Sequence, residues 1–88
     1  MPAPPWFVYV LYSVPTGRTY TGIALEPHER LDKHNGKRSG GAKATRQGRP
    51  WRVVYVERYD TKSLALKREA AIKRMSRAAK LLLCGLSA

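Results

Sequence analysis

The chain has 88 residues, 17 of them Lys or Arg against 6 Asp or Glu, for a net charge of +11. A chain this short makes one domain with a thin core, and so large a positive excess fits a polyanion partner, nucleic acid before anionic membrane, rather than a neutral enzyme surface. The single cysteine, Cys84, excludes an intramolecular disulfide framework and fits a reducing, cytoplasmic compartment. His28 and His34 have no Cys at ligand spacing, so a zinc site is not expected. Trp6 to Leu11 is apolar but far too short to span a bilayer, and no basic segment precedes it, so neither a transmembrane helix nor a signal peptide is expected.

Residues 1–5 are a Pro-rich lead-in expected to fray, residues 6–84 the domain, and residues 85–88 a tail. Trp6 to Tyr12 and Arg18 to Gly22 are two β-branched and aromatic arms around Val14-Pro15-Thr16-Gly17, which predicts a β-hairpin. Alternation places Phe7, Tyr9 and Leu11 on one face of the first arm. Arg18, Tyr20 and Gly22 share one face of the second, so a matching register brings Tyr9 close to Tyr20 with Arg18 on the rim. Two such tyrosines, taken alone, read first as ordinary cross-strand packing; they can also be phenols aimed at a phosphate.

Glu26-Pro27 opens a short helix, because Pro suits the first helical position and a carboxylate the N-terminus. Gly36 is its stop signal. Arg30 and His34, four apart, lie on one face of it. Residues 36–50 form a loop with five basic residues and no acidic one. Such a loop is either a solvated connection or a phosphate-tracking segment, with Gly admitting backbone N–H groups and Lys or Arg supplying charge. Ala42 to Arg46 is a candidate single helical turn.

Trp51 to Tyr59 reads as a third strand, with Val53, Tyr55 and Glu57 on one face and Val54, Val56 and Arg58 on the other. Asp60 or Thr61 caps a helix from Lys62 to about Met75. Its inward stripe is Leu64, Ala65, Ala71, Ile72 and Met75, and Arg68, inside that stripe, is expected to snorkel outward. Ser76 caps a last helix, Arg77 to Leu83, that Gly85 ends. Cys84 is expected as a buried apolar thiol. Glu69 sits at the border of the inward stripe, where a carboxylate needs a partner: Lys73 one turn on, or a cation. The order strand, strand, helix, strand, helix, helix predicts an α+β fold, a small antiparallel sheet with helices packed on it.

Phe7-Val8-Tyr9, Tyr20-Thr21-Gly22, Arg30, His34 and Glu69, in this order and spacing, resemble the signature of the GIY-YIG endonuclease superfamily. The resemblance runs from Trp6 to about Leu83 and is strongest to small, stand-alone bacterial members. It extends to Gly41-Ala42-Lys43-Ala44-Thr45-Arg46. It implies a three-stranded antiparallel sheet with helices on both faces, and metal-dependent hydrolysis of DNA phosphodiester bonds, on branched, nicked or damaged forms in repair or recombination.

The resemblance also assigns roles. Glu69 becomes the sole protein ligand of one Mg²⁺ or Mn²⁺, completed by water and substrate phosphate. Tyr9 resembles the proposed general base, with His34 as proton relay, since a phenol with pKa near 10 is a poor base alone. Tyr20 orients the phosphate or the water, although Tyr9 and Tyr20 could divide these roles either way. Arg30 holds the non-bridging oxygens bidentately. Arg18, Lys37, Arg38, Lys43, Thr45, Arg46 and Lys73 are candidate nucleic-acid contacts. No membrane partner and no small-molecule cofactor are expected, and a homodimer or protein partner is left open.

Two departures qualify the resemblance. Some superfamily members carry a further Asn in the last helical segment, and residues 76–88 hold no Asn or Gln. Homing, restriction and repair members add DNA-binding domains that choose the site, and none is expected in these 88 residues. The alternative functions are a non-catalytic basic nucleic-acid-binding module on the same fold, and a basic adaptor for an acidic partner.

Overall fold

The computed structural model describes residues 3–86; of the expected frayed ends, residues 1–2 and 87–88 lie outside them. The hairpin forms as β1 (Trp6–Ser13) and β2 (Thr19–Ala24), followed by α1 (Pro27–His34). A single 3₁₀ turn spans Lys43–Thr45, and β3 (Trp51–Tyr59), α2 (Lys62–Lys73) and α3 (Arg77–Leu83) complete the order. The sheet is antiparallel with order β2-β1-β3, so β1 is central.

A central strand must bury both of its faces, and the alternation of β1 does this. Val8 and Val10 meet Ala65 and Ile72 of α2, with Met75, Leu83 and Cys84 packed around them. On the opposite face Tyr9 and Leu11 cluster with Ala24 and Trp51, against Tyr20, Val53 and Leu31 of α1. The helices therefore lie on both sides of the sheet: α1 on the Tyr9 side, α2 and the end of α3 on the Val8 side.

The helix ends follow the expected chemistry. Pro27 occupies the start of α1. After its last turn Gly36, at φ +80°, donates its N–H to the Lys33 carbonyl at 3.1 Å. Of the two candidates for capping α2 it is Thr61 that acts, its Oγ1 accepting from the Leu64 N–H at 3.2 Å. Ser76 Oγ accepts from the Ala79 N–H at 3.1 Å and starts α3.

Four expectations are corrected. The β1–β3 register slips between Val10 and Leu11, which pair with Tyr55 and Val53 and leave Val54 extra. This bulge puts Val53 with the Tyr9 cluster, and Val54 and Tyr55 together on the Val8 side; an extra residue resets the alternation, which uniform period-two reading cannot register. Leu64 is 46% exposed and no part of the core, because α2 buries a narrow seam around Ala65 and Ile72.

Arg68 does not snorkel into solvent. Its Nε and Nη2 donate to Glu57 Oε1 and Oε2 at 2.8 and 3.1 Å, while Tyr59 Oη donates to Oε1 at 2.6 Å and Tyr55 Oη donates to Oε2. Burial alone would raise the Glu57 carboxyl, but the Arg68 contact and the two phenols outweigh it and hold the pKa down at about 2. This cluster clamps α2 to β3. Cys84 is half-buried rather than fully buried, and burial raises its thiol pKa.

Candidate active site

The site begins with register. Tyr9 pairs across the sheet with Gly22, and Leu11 pairs with Tyr20, so both phenols rise from the same face as neighbours on a diagonal. The Tyr9 ring leans over Gly22: a Cβ at position 22 would lie 2.6 Å from Tyr9 Oη and 3.3 Å from Tyr20 Cε1. Only a glycine leaves room for that pose.

The last turn of α1 lowers His34 onto the two phenols. Tyr9 Oη and His34 Nε2 are 2.9 Å apart, and the Tyr20 and His34 ring centroids are 4.8 Å apart. Tyr9 is 1% exposed, and His34 and Thr45 are fully buried. On the other side of the imidazole, His34 Nδ1 is 2.8 Å from Thr45 Oγ1, whose hydroxyl donates to the Ala42 carbonyl at 2.7 Å. Buried polar groups are costly unless partnered, and among the described residues every buried side-chain nitrogen and oxygen has a hydrogen-bond partner.

Burial pushes the Tyr9 phenol up to about 12, reinforced by Tyr20 and the Glu69 carboxylate and opposed by the adjacent Arg30. Burial, with the cationic Arg30 and Arg49 nearby, pushes His34 down to about 4. At neutral pH the pair is therefore an un-ionised phenol against an uncharged imidazole.

Arg30, one turn before His34, donates from Nη1 to the Gly40 carbonyl at 2.6 Å. It also walls a cleft of about 310 Å³, shared with Lys33, Glu29 and the end of β2. The basic loop is tied to this helix. Arg49 Nε donates to the His34 carbonyl at 2.8 Å, and Gly41 passes so close that a Cβ there would lie 2.3 Å from the Lys33 carbonyl oxygen. Trp51 anchors the loop's far end: its Nε1 donates to the Thr45 carbonyl at 3.0 Å, and Asn35 brackets its backbone at 2.6 and 2.9 Å.

The structure thus brings Tyr9, Tyr20, Arg30 and His34 together. Glu69 comes from α2, which packs on the opposite face, yet its charge is felt at Tyr9. The Glu69 side chain is 18% exposed and pairs with Lys73 Nζ at 3.5 Å, the i,i+4 arrangement anticipated above. Among the described residues no three His, Cys, Asp or Glu gather as a metal cage. A lone carboxylate within reach of solvent fits an ion such as Mg²⁺, which keeps waters and takes phosphate oxygens for its remaining positions.

Of the candidate contacts, Arg18 lies exposed beside β2, and Lys37, Lys43 and Arg46 are exposed on the loop. Arg38 is exposed but leans on Glu29 at 3.4 Å, a surface pair of little worth. Lys73 is engaged with Glu69. Thr45 is a correction: fully buried against His34, it has no surface to offer nucleic acid. Sequence reading placed Thr45 in a segment resembling the family but missed its contact with His34, and it missed Arg49 and Asn35 altogether, because each contact reaches a distant part of the chain.

This architecture is that of a small α+β domain of a nuclease family. The model of the GIY-YIG catalytic domain matches residues 5–81, and the chain belongs to that family. Within it, the chain is similar to UPF0213 proteins of Staphylococcus aureus strains N315 and MW2, each 48% identical over 75 residues that cover 85% of this chain and 88% of the relative. Two solution NMR structures share the fold. The UPF0213 protein of Bacillus halodurans is 34% identical with a TM-score of 0.57, covering 92% of this chain and 83% of that one. A protein of E. faecalis is 33% identical with a TM-score of 0.59, covering 92% and 84%.

Proposed function

We propose that this protein is an endonuclease that hydrolyses phosphodiester bonds in DNA with the help of one divalent cation. The observation that carries the reading is the buried 2.9 Å contact between the Tyr9 phenol and the neutral His34 imidazole. Hydrolysis needs a proton taken from water, and this pair is a path for it: water gives its proton to Tyr9 Oη as Tyr9 passes its own to His34 Nε2.

A histidine held at about 4 is a weak final acceptor. Part of that depression comes from Arg30, and a substrate phosphate docked on Arg30 cancels its field. Substrate binding therefore raises the basicity of His34 at the moment it is needed. Arg30 leaves the Gly40 carbonyl to grip two non-bridging oxygens, a fork that a lysine could not supply. Tyr20, beside His34, orients the phosphate. Glu69 would hold the cation, which when bound supplies positive charge to the leaving oxygen. Arg18, Lys37, Lys43 and Arg46 supply the electrostatic track for the strand.

The test is cleavage by purified wild type, Tyr9→Phe and Glu69→Ala, with and without Mn²⁺, on linear, nicked, single-stranded and branched DNAs. Wild type should cut only with metal, and both variants should fold and fail to cut. Cleavage that survives Glu69→Ala refutes the assignment. One observation favours a second reading, a binder without turnover: Glu69 already has a partner in Lys73 at 3.5 Å. That reading expects salt-sensitive DNA binding and no metal-dependent product.

A further inference from the structure

The Tyr9–His34 contact can run in either direction. A phenol can donate to an unprotonated Nε2, or accept from Nε2–H, and only the first arrangement lets the imidazole take a proton from Tyr9. The choice is made on the far side of the ring. The Thr45 hydroxyl has one hydrogen, and the Ala42 carbonyl lies 2.7 Å from Oγ1 to receive it. Oγ1 is then an acceptor toward His34 Nδ1, at 2.8 Å. The hydrogen of the neutral ring must sit on Nδ1, and the lone pair of Nε2 faces Tyr9.

The turn that carries Thr45 is held so that this hydroxyl cannot drift. Thr45 N–H donates to the Ala42 carbonyl at 3.0 Å, and Trp51 Nε1 grips the Thr45 carbonyl at 3.0 Å. Both Thr45 and His34 are fully buried, so neither side chain meets bulk solvent.

We propose that Thr45 is a positioning residue for the site: through its buried hydroxyl it fixes His34 as the Nδ1–H tautomer and makes Nε2 the acceptor of the Tyr9 proton. The kinetic part of this inference rests on the nuclease reading above; the tautomer part does not. Lys43 and Arg46 flank Thr45 on the outer side of the same turn, so one short segment presents charge to a phosphate and sets proton direction beneath it.

The experiment combines ¹⁵N NMR of the His34 ring with cleavage kinetics, on wild type, Thr45→Ser and Thr45→Val. The ring nitrogens report the tautomer with no substrate present, so this readout stands even if the protein cuts nothing. Wild type and Thr45→Ser should show protonated Nδ1 and bare Nε2, and Thr45→Val should shift toward Nε2–H. In cleavage, Thr45→Val should lose about a hundredfold in kcat, the low end of what a positioned base contributes, with KM unchanged, and Thr45→Ser should restore most of it. Wild type carrying Nε2–H overturns the proposal, and this measurement needs no variant to fold. Thr45→Val that keeps the wild-type tautomer, or cuts as fast as wild type, overturns it as well.

Discussion

Lowering the pH should destabilise this protein before its carboxylates titrate, and His34 is the reason. The imidazole is buried and neutral, with its pKa lowered to about 4 by burial and by Arg30 and Arg49; in the unfolded chain it returns to about 6.5. Between those values the unfolded state binds the proton and the native state refuses it. The stability from this group is complete above 6.5, falls with decreasing pH, and is gone below 4. The full gap corresponds to about 3 kcal/mol at ~1.36 kcal/mol per pH unit. At pH 5 nearly every unfolded chain has a protonated His34, against roughly one folded chain in ten. The loss between pH 7 and 5 is therefore about 2 kcal/mol. The Glu57 carboxylate, at about 2 in the native state, loses its contribution only as the pH falls from the ordinary carboxylate value toward 2, so the window from 7 to 5 belongs to the histidine. Urea unfolding at pH 7, 6 and 5 measures the slope directly, and His34→Gln should flatten it. A wild type whose unfolding free energy stays level from pH 7 to 5 would refute a buried neutral imidazole, and with it the proton path through Tyr9.

Other perturbations have defined outcomes. Gly22→Ala drives a methyl to within 2.6 Å of Tyr9 Oη; it should cost about 1–3 kcal/mol in urea unfolding and abolish cleavage by pushing the phenol off His34. Arg68→Met removes the cation from Glu57 and should destabilise by about 2 kcal/mol. It should also raise the Glu57 pKa, seen by NMR titration as a midpoint displaced upward from about 2. Lys73→Met frees Glu69 from a helical pair worth roughly 0.3–0.5 kcal/mol, so Mn²⁺ affinity in the presence of DNA should rise about twofold, whereas an unchanged affinity would mean the carboxylate does not meet the ion.

The hairpin, the third strand and the helix caps were legible because each rests on neighbours in sequence: Pro-Thr-Gly between two β-branched runs, Thr61 three residues before Leu64, Ser76 three before Ala79. The juxtaposition of Tyr9, Tyr20, Arg30 and His34 was legible through periodicity together with the family signature. What stayed hidden depends on distant parts of the chain. The extra residue at Val54 is defined only against β1. Arg68 looked misplaced because its partner, Glu57, lies eleven residues away on another element. Thr45 was read as a surface contact because it sits in a basic loop, and nothing local reveals that the loop folds back to bury one hydroxyl beneath His34.

β1 carries Val8 and Val10 into one layer and Tyr9 and Leu11 into the other. Packing faults and catalytic faults thus share a single backbone segment. In any selection for cutting, residues with no atom near a substrate would score as essential, and a dead clone would not by itself separate a lost chemical group from a tilted strand. Screens on such a domain need melting behaviour and turnover measured on every clone, and the exposed loop positions Lys37, Lys43 and Arg46, which bear none of the packing, are the better place to retune what it recognises.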